Sequence, residues 1–267
     1  MLIKEVKEIL LRDYGKLCQE TRLDSVVIGK HLCGVRLENG WLGLSSTIDD
    51  SDIHCIKDKR DFGAFTPLQM EGHSVSELLQ ISKESASIQM LRIASINALA
   101  SGLLPSQPYR VHSNTDPFDL LDIKPGSRVV LVGAFQSYIQ RCDAMSCELR
   151  VLEFNEHALE PQHRKYFVPA ERYTEIIPQA DFLLITGLTL VNKTFDKLLS
   201  YVQPVTETVV VGPSSNLLPE VFFKHGIRYV GGTRITQPDL LFPLISQGAA
   251  GYHLFKYAAE KICISEV

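Results

Sequence analysis

The chain carries none of the short motifs that announce a reaction. It has no Gly-x-Ser-x-Gly elbow for a nucleophilic serine and no Gly-x-x-x-x-Gly-Lys loop for nucleotide phosphates. Paired Cys-x-x-Cys and His-Glu-x-x-His arrangements are missing as well, so no dedicated structural zinc site is expected. The six cysteines have no regular spacing, which excludes a disulfide framework and leaves reduced thiols. No uninterrupted apolar run approaches the ~20 residues that cross a bilayer. Met1 to Tyr14 is charged and helix-periodic, unlike a signal peptide or an anchor. A cytoplasmic chain with no membrane partner is the expectation. An excess of one charge is lacking too: 27 basic and 31 acidic residues are interleaved for a net charge of -4. The densest basic cluster, Lys57, Lys59 and Arg60, is broken by Asp58 and Asp61. Nucleic acid requires a concentrated basic face to neutralise phosphates, so it is not an expected partner.

What is present is a folded chain of 267 residues, 45% hydrophobic and 22% charged, enough for one large domain or two ordinary ones. Near the start, Ile3, Val6, Ile9, Leu10, Tyr14 and Leu17 recur at helical spacing between charged residues, predicting an amphipathic helix. Two apolar runs flank Glu38-Asn39-Gly40, and Asn-Gly between such runs signals a hairpin. Residues 48–66 lack periodicity and read as a loop. Ser74 with Glu77 three positions on suits a capping box. From Ser87 to Ala100 the helical pattern is apolar almost all round, which places that helix in the interior and obliges Asn97 to find partners there.

Beyond the proline-containing stretch that follows, the pattern changes. Short β-branched runs at 128–133, 149–153, 181–187, 208–212 and 228–232 alternate with helical stretches at 135–141, 192–202, 219–225 and 238–247. Strands separated by helices imply right-handed crossovers and a parallel sheet covered on both faces. The reading is therefore an α/β chain in two parts. Residues 1–105 form a smaller α+β domain, 106–122 a linker, and 123–267 a Rossmann-like, mostly parallel sheet with helices on both faces.

Open parallel sheets bind ligands at the carboxyl ends of their strands, where the strand order reverses. The first such end, Gly133-Ala134-Phe135, lacks the further glycines of a dinucleotide fingerprint. The second ends in Glu153, an acid twenty residues after Gly133 that could bond ribose hydroxyls. The third runs into Thr186-Gly187-Leu188-Thr189, with Asn192 a candidate N-cap and free backbone N–H groups suited to an anionic or carbonyl ligand. The fourth offers Gly212-Pro213-Ser214-Ser215. Of the scattered metal-binding side chains, Glu153, His157 and His163 come nearest to a ligand set, and none of the histidines or cysteines forms a recognised pattern.

At these residues the chain resembles the family called domain of unknown function 364, also named the putative heavy-metal chelation family. The resemblance rests on VGAF, ITGLTLVNKTFDKLL, VVVGPSSNLLPEVFFKHGI, GGTRITQPDLLFPLISQGA and the closing EKICI, with GLSST and ASINALAS upstream. It implies an enolase-N-terminal-like domain packed on the Rossmann-like one, with a pocket between them. Thr47 and Asn97 would stand on the N-terminal wall. Gly133, Phe135, Glu153, Thr186, Gly187, Thr189, Asn192, Pro213 and Ser214 would form the other. The leading reading is a protein that binds, and condenses or hydrolyses, a polar small molecule of the chelator type, pterin- or siderophore-like and metal-associated, with Glu153 as anchor or general base. An S-adenosylmethionine-dependent methyltransferase and a non-enzymatic carrier stay open beside it. The sequence names no cofactor and does not decide whether a reaction occurs. A symmetric dimer is the commonest arrangement for such chains.

Overall fold

The computed structural model describes residues 2–48, 63–82 and 84–267, so most of the non-periodic stretch 48–66 lies outside the described residues. Two helices come first, α1 (Leu2–Asp13) and α2 (Gly15–Glu20). Val6 and Leu10 of α1 are buried as the spacing predicts and Leu2 joins them, while Ile3 and Ile9 stay half-buried and the one expected helix is broken at Tyr14. Lys4 and Glu8 pair on the wet side. A small antiparallel sheet follows: β1 (Leu23–Ile28), β2 (Leu32–Leu37) and β3 (Leu42–Ser46), in that spatial order. The hairpin between β2 and β3 turns at Asn39-Gly40. Gly40 takes φ 84° and its N–H donates to the Leu37 carbonyl at 2.8 Å, a left-handed conformation that glycine enters without a Cβ penalty.

The next helix, α3 (Val75–Gln80), starts with the expected capping box. Ser74 Oγ accepts the Glu77 N–H at 3.1 Å, and Glu77 Oε2 accepts the Ser74 N–H at 2.7 Å. The Ser74 amide, more than any other group, holds the Glu77 carboxyl below its usual range. Ser74→Ala should cost about 1 kcal/mol, read as a lower urea midpoint; an unmoved midpoint would mean that water replaces the cap without loss.

Helix α4 (Ala86–Leu103) is buried at every position from Ile88 to Ala100. By length and hydropathy alone it could cross a membrane, yet 72% of that window is enclosed by the rest of the chain. It lies directly on β3. A Cβ at Gly43 would stand 2.1 Å from the Ala94 carbonyl oxygen and 2.2 Å from the Ala98 nitrogen, so helix backbone rests on strand backbone.

The larger sheet has eight strands: β4 (Arg110–Ser113), β5 (Arg128–Val132), β6 (Glu148–Glu153), β7 (Phe167–Pro169), β8 (Phe182–Thr186), β9 (Glu207–Val211), β10 (Ile227–Ile235) and β11 (Ala259–Ser265). Their order is β4-β11-β10-β9-β8-β5-β6-β7. β5 to β10 run parallel, and β11 pairs antiparallel with both β10 and β4. Seven helices accompany them: α5 (Gln136–Ala144), α6 (Tyr173–Ile176), α7 (Leu188–Val191), α8 (Phe195–Leu199), α9 (Pro219–Lys224), α10 (Pro238–Ser246) and α11 (Gly251–Tyr257). One core joins Val130, Val132, Leu152, Leu183 and Ile185 of the sheet to α1 and α4; a second joins Val129, Leu131, Val151 and Leu184 to Tyr138 and Ile139 of α5. Helix α10 covers the small sheet from the side away from α4, where a Cβ at Gly29 would meet the Ile245 carbonyl at 2.2 Å.

Two further local expectations change. The stretch 106–122 includes β4, whose four residues have no periodicity of their own and are extended because β11, some 150 residues later, supplies their partners. The helix expected from Asn192 begins at Leu188 instead. Asn192 ends α7, Lys193 takes φ 62°, and α8 starts afresh at Phe195.

The chain builds β5, β6 and β7 outward in one direction and β8, β9 and β10 in the other. Strand order therefore reverses between β5 and β8, and their carboxyl ends diverge to leave room beside Gly133 and Thr186.

Candidate functional site

A cavity of about 240 Å³ opens at that reversal. Gly133 forms its floor at φ 103°, and a Cβ there would lie 3.1 Å from the Thr186 methyl. Glu153, at the end of β6, is half-buried and held by backbone donors on both oxygens. Oε2 accepts the Ala134 N–H at 3.2 Å and Oε1 accepts the Phe154 N–H at 2.8 Å. A carboxylate tied at both oxygens keeps one orientation, and each oxygen retains a lone pair for a ligand.

The opposite wall is the turn after β8. Thr186 Oγ1 accepts the Leu188 N–H at 3.3 Å, and the Thr189 hydroxyl donates to the Thr186 carbonyl at 2.6 Å. Asn192 Oδ1 accepts from the Thr194 amide at 3.2 Å and the Thr194 hydroxyl at 2.7 Å. Tyr173 and Lys197 close the rim, with the ammonium 5.1 Å from the ring centroid. Tyr173 raises the Lys197 pKa, so Lys197 is a fixed positive charge at the mouth.

A second cavity, of about 740 Å³, lies on the far side of the Gly133–Phe135 turn. Phe135, Tyr138, Tyr252 and Phe255 supply aromatic walls. Asp116 sits among them, taking the Tyr138 hydroxyl at 2.5 Å, the Lys261 ammonium at 2.7 Å and the Phe118 N–H at 3.0 Å. Burial, then the Asp116 charge, pushes the Tyr138 phenol above its ordinary range.

The structure distributes the residues singled out from sequence over three places. Gly133, Glu153, Thr186, Thr189 and Asn192 meet in the smaller cavity. Phe135 and Pro213 line the larger one. The remaining four hold the two parts of the chain together or steady the turns. Asn97 Nδ2 donates to Leu44 at 2.5 Å and to Pro213 at 3.2 Å, and Ser214 Oγ accepts the Ser46 N–H at 2.7 Å. Gly187 packs against Ser214, and the Thr47 hydroxyl donates to the Lys30 carbonyl at 2.6 Å. Sequence reasoning passed over Tyr173, Lys197, Asp116, Tyr138 and Lys261. Asp116 and Lys261 are 145 positions apart, and no local pattern links them.

Among the described residues no three of His, Cys, Asp and Glu gather closely enough to hold a metal ion, so Glu153, His157 and His163 do not form a set; His54 and Cys55 lie outside the described residues. Burial pushes the Cys33, Cys142 and Cys263 thiols up to about 12 and Cys18 up to about 11, which keeps them protonated at neutral pH.

Fold and site together define a two-part α/β protein whose parallel sheet offers, at its strand reversal, a mostly apolar cavity into which Glu153, Thr186, Asn192 and Lys197 bring polar groups. Residues 116–264 match the model of domain of unknown function 364, and residues 11–100 that of domain of unknown function 4213, both described as "Putative heavy-metal chelation". The chain belongs to the domain of unknown function 364 family. A crystal structure of a member from Pyrococcus horikoshii is similar over 99% of this chain and 100% of that one, with a TM-score of 0.79 at 17% identity. Another, from Desulfitobacterium hafniense, matches 97% of this chain and 100% of that one, with a TM-score of 0.72 at 20% identity. These likenesses concern the fold. In sequence, the chain is 34% identical over 86 residues to uncharacterized protein MJ0500 of Methanocaldococcus jannaschii, covering 32% of this chain and 33% of that relative.

Proposed function

We propose that the chain binds a small polar molecule of the chelator type in the cavity between the ends of β5, β6 and β8, and handles metal through that molecule. The observation that carries this reading is the Glu153 carboxylate, fixed by the Ala134 and Phe154 amides and facing the Thr186–Thr194 wall across the strand reversal. A ligand hydroxyl or amine would donate to Glu153, and its carbonyl or carboxylate would meet Lys197 at the rim. The family's description points to heavy metal, while the described side chains form no donor cluster. Metal held by the ligand reconciles the two. In a condensation or hydrolysis, Glu153 would take the proton from the attacking amine or water. The first part of the chain acts at one remove: Asn97 and Ser46 brace the Pro213–Ser214 turn, which supports Gly187. A cytoplasmic location belongs to the same proposal.

A methyltransferase reading has one observation in its favour. Gly133 and Glu153 meet at one cavity, joined through the Ala134 amide, and an acid so placed can bond a ribose.

Thermal shift against a pterin, a catechol chelator with and without ferric iron, and S-adenosylmethionine separates the readings, because a ligand that prefers the folded state raises the melting temperature. Stabilisation by the pterin or catechol, weakened about tenfold in affinity by Glu153→Ala, is expected. Stabilisation by S-adenosylmethionine alone would support the methyltransferase. If affinity survived Glu153→Ala, Thr186→Val and Asn192→Ala unchanged, the cavity would not be the site.

A further inference from the structure

A third cavity lies where the two parts of the chain meet, enclosed by α1, α4 with the residues just before it, and the segment 189–196, with a volume of about 400 Å³. Four basic residues line it, Lys4, Lys7, Arg92 and Lys193, against two acidic ones, Glu84 and Asp196. Like charges brought together from three separate elements repel one another unless an anion lies between them.

Arg92 is the centre of this arrangement. Its side chain is 2% exposed on the most deeply buried helix of the protein. Nη1 donates to Gln89 Oε1 at 3.1 Å and to Glu84 Oε1 at 3.3 Å, and Nη2 donates to the Ile81 carbonyl at 3.2 Å. Nε is buried and finds no acceptor among the described residues. A guanidinium buried this deeply is normally bonded on every edge, because an unmet donor costs about 1–3 kcal/mol.

The carboxylates do not balance the surplus, even with Lys4 paired to Glu8 on the outer side of α1. Glu84 is shared between Arg92 and Lys193, the latter at 2.5 Å, and Asp196 Oδ1 already accepts the Leu2 N–H at 2.8 Å. Lys7 makes no ion pair among the described residues. Burial, and then the nearby Arg92 charge, lowers its pKa. Gln89 donates to the Leu190 carbonyl at 3.2 Å, fixing the Arg92 neighbourhood against the 189–196 segment.

We propose that this cavity is a binding site for a phosphate-class oxyanion, either free or carried as a monoester, with Arg92 and Lys7 as its principal donors and Lys193 at the entrance. The site is separate from the one around Glu153, and the two share only Thr189.

The test is isothermal titration of the full chain with inorganic phosphate and with glycerol 3-phosphate, at ionic strength held constant with chloride. Binding of at least one is expected, weakened about tenfold by Lys7→Gln and largely kept by Lys7→Arg, since a charge-assisted hydrogen bond contributes about that factor. Lys193→Gln should weaken it as well, while Glu153→Ala should leave it unchanged. Binding of both probes would indicate a free oxyanion site, and binding of the ester alone a larger ligand's phosphate arm. Arg92 is too buried for its loss to be read as a binding effect, so the half-buried Lys7 and the exposed Lys193 carry the experiment. No heat with either probe, or affinity indifferent to both lysine substitutions, would overturn the proposal.

Discussion

Replacing Gly43 by alanine should destabilise the protein by about 3 kcal/mol, the upper part of the usual range for overpacking, because nothing nearby can yield cheaply. The new methyl would meet the Ala94 carbonyl oxygen at 2.1 Å and the Ala98 nitrogen at 2.2 Å. These are backbone atoms of α4 that cannot rotate away. Relief requires lifting the helix from β3, and the same helix carries Asn97 to Pro213 and Gln89 to Leu190. The effect should therefore reach the junction between the two parts of the chain. Gly15→Ala is the matched control, since among the described residues nothing lies within 4 Å of the added carbon there. Urea unfolding followed by circular dichroism should show a large drop for Gly43→Ala and little change for Gly15→Ala. Equal, small shifts would mean that α4 rides over the strand without penalty.

Asp116→Ala should be nearly as costly, by about 3 kcal/mol, because it leaves a buried donor and a cation without their acceptor. The Tyr138 ring is 3% exposed, and its hydroxyl has Asp116 as acceptor. Lys261 is half-exposed and can turn to water, so most of the cost belongs to Tyr138 and to the Phe118 amide that Asp116 caps. Asp116→Asn retains an acceptor for these groups and should be the milder change. Tyr138→Phe removes donor and need together and should cost about 1 kcal/mol. A melting temperature that fell equally for Asp116→Ala and Tyr138→Phe would show that Lys261 and the Phe118 amide lose nothing with the carboxylate.

The elements legible in the sequence are those whose pattern is local. The runs that become β5, β6, β8, β9 and β10 are apolar because both faces of a parallel sheet are covered. The all-round apolar helix, the Asn-Gly hairpin and the Ser74–Glu77 box likewise depend on residues within a turn or two of each other. β4 and β7 are short, and only their partners make them strands. α7 defeats the reading for a related reason. A four-residue helix ending in a left-handed Lys193 has no periodicity to detect, and Asn192 there closes a helix rather than opening one.

The candidate site divides the same way. Gly133, Glu153 and Thr186 could be picked out as strand-end residues before any fold was known, because strand ends in parallel sheets are where polar residues can face a cavity. That Asn97 and Ser214 join the two parts of the chain, and that Phe135 turns to the other side of β5, depends on how the small sheet lies against the large one. Lys7, Arg92 and Lys193 each look unremarkable in sequence, and only the meeting of α1, α4 and the 189–196 segment turns them into one basic cavity.

The sequence by itself determined the alternation of the central strands with helices, the buried helix and the family, since hydrophobic spacing and turn chemistry act between near neighbours along the chain. Tertiary structure alone decided which charges meet, which cavity each strand end faces, and where glycine is obligatory. Those outcomes are set by contacts between residues a hundred or more positions apart, whose distances no local pattern encodes.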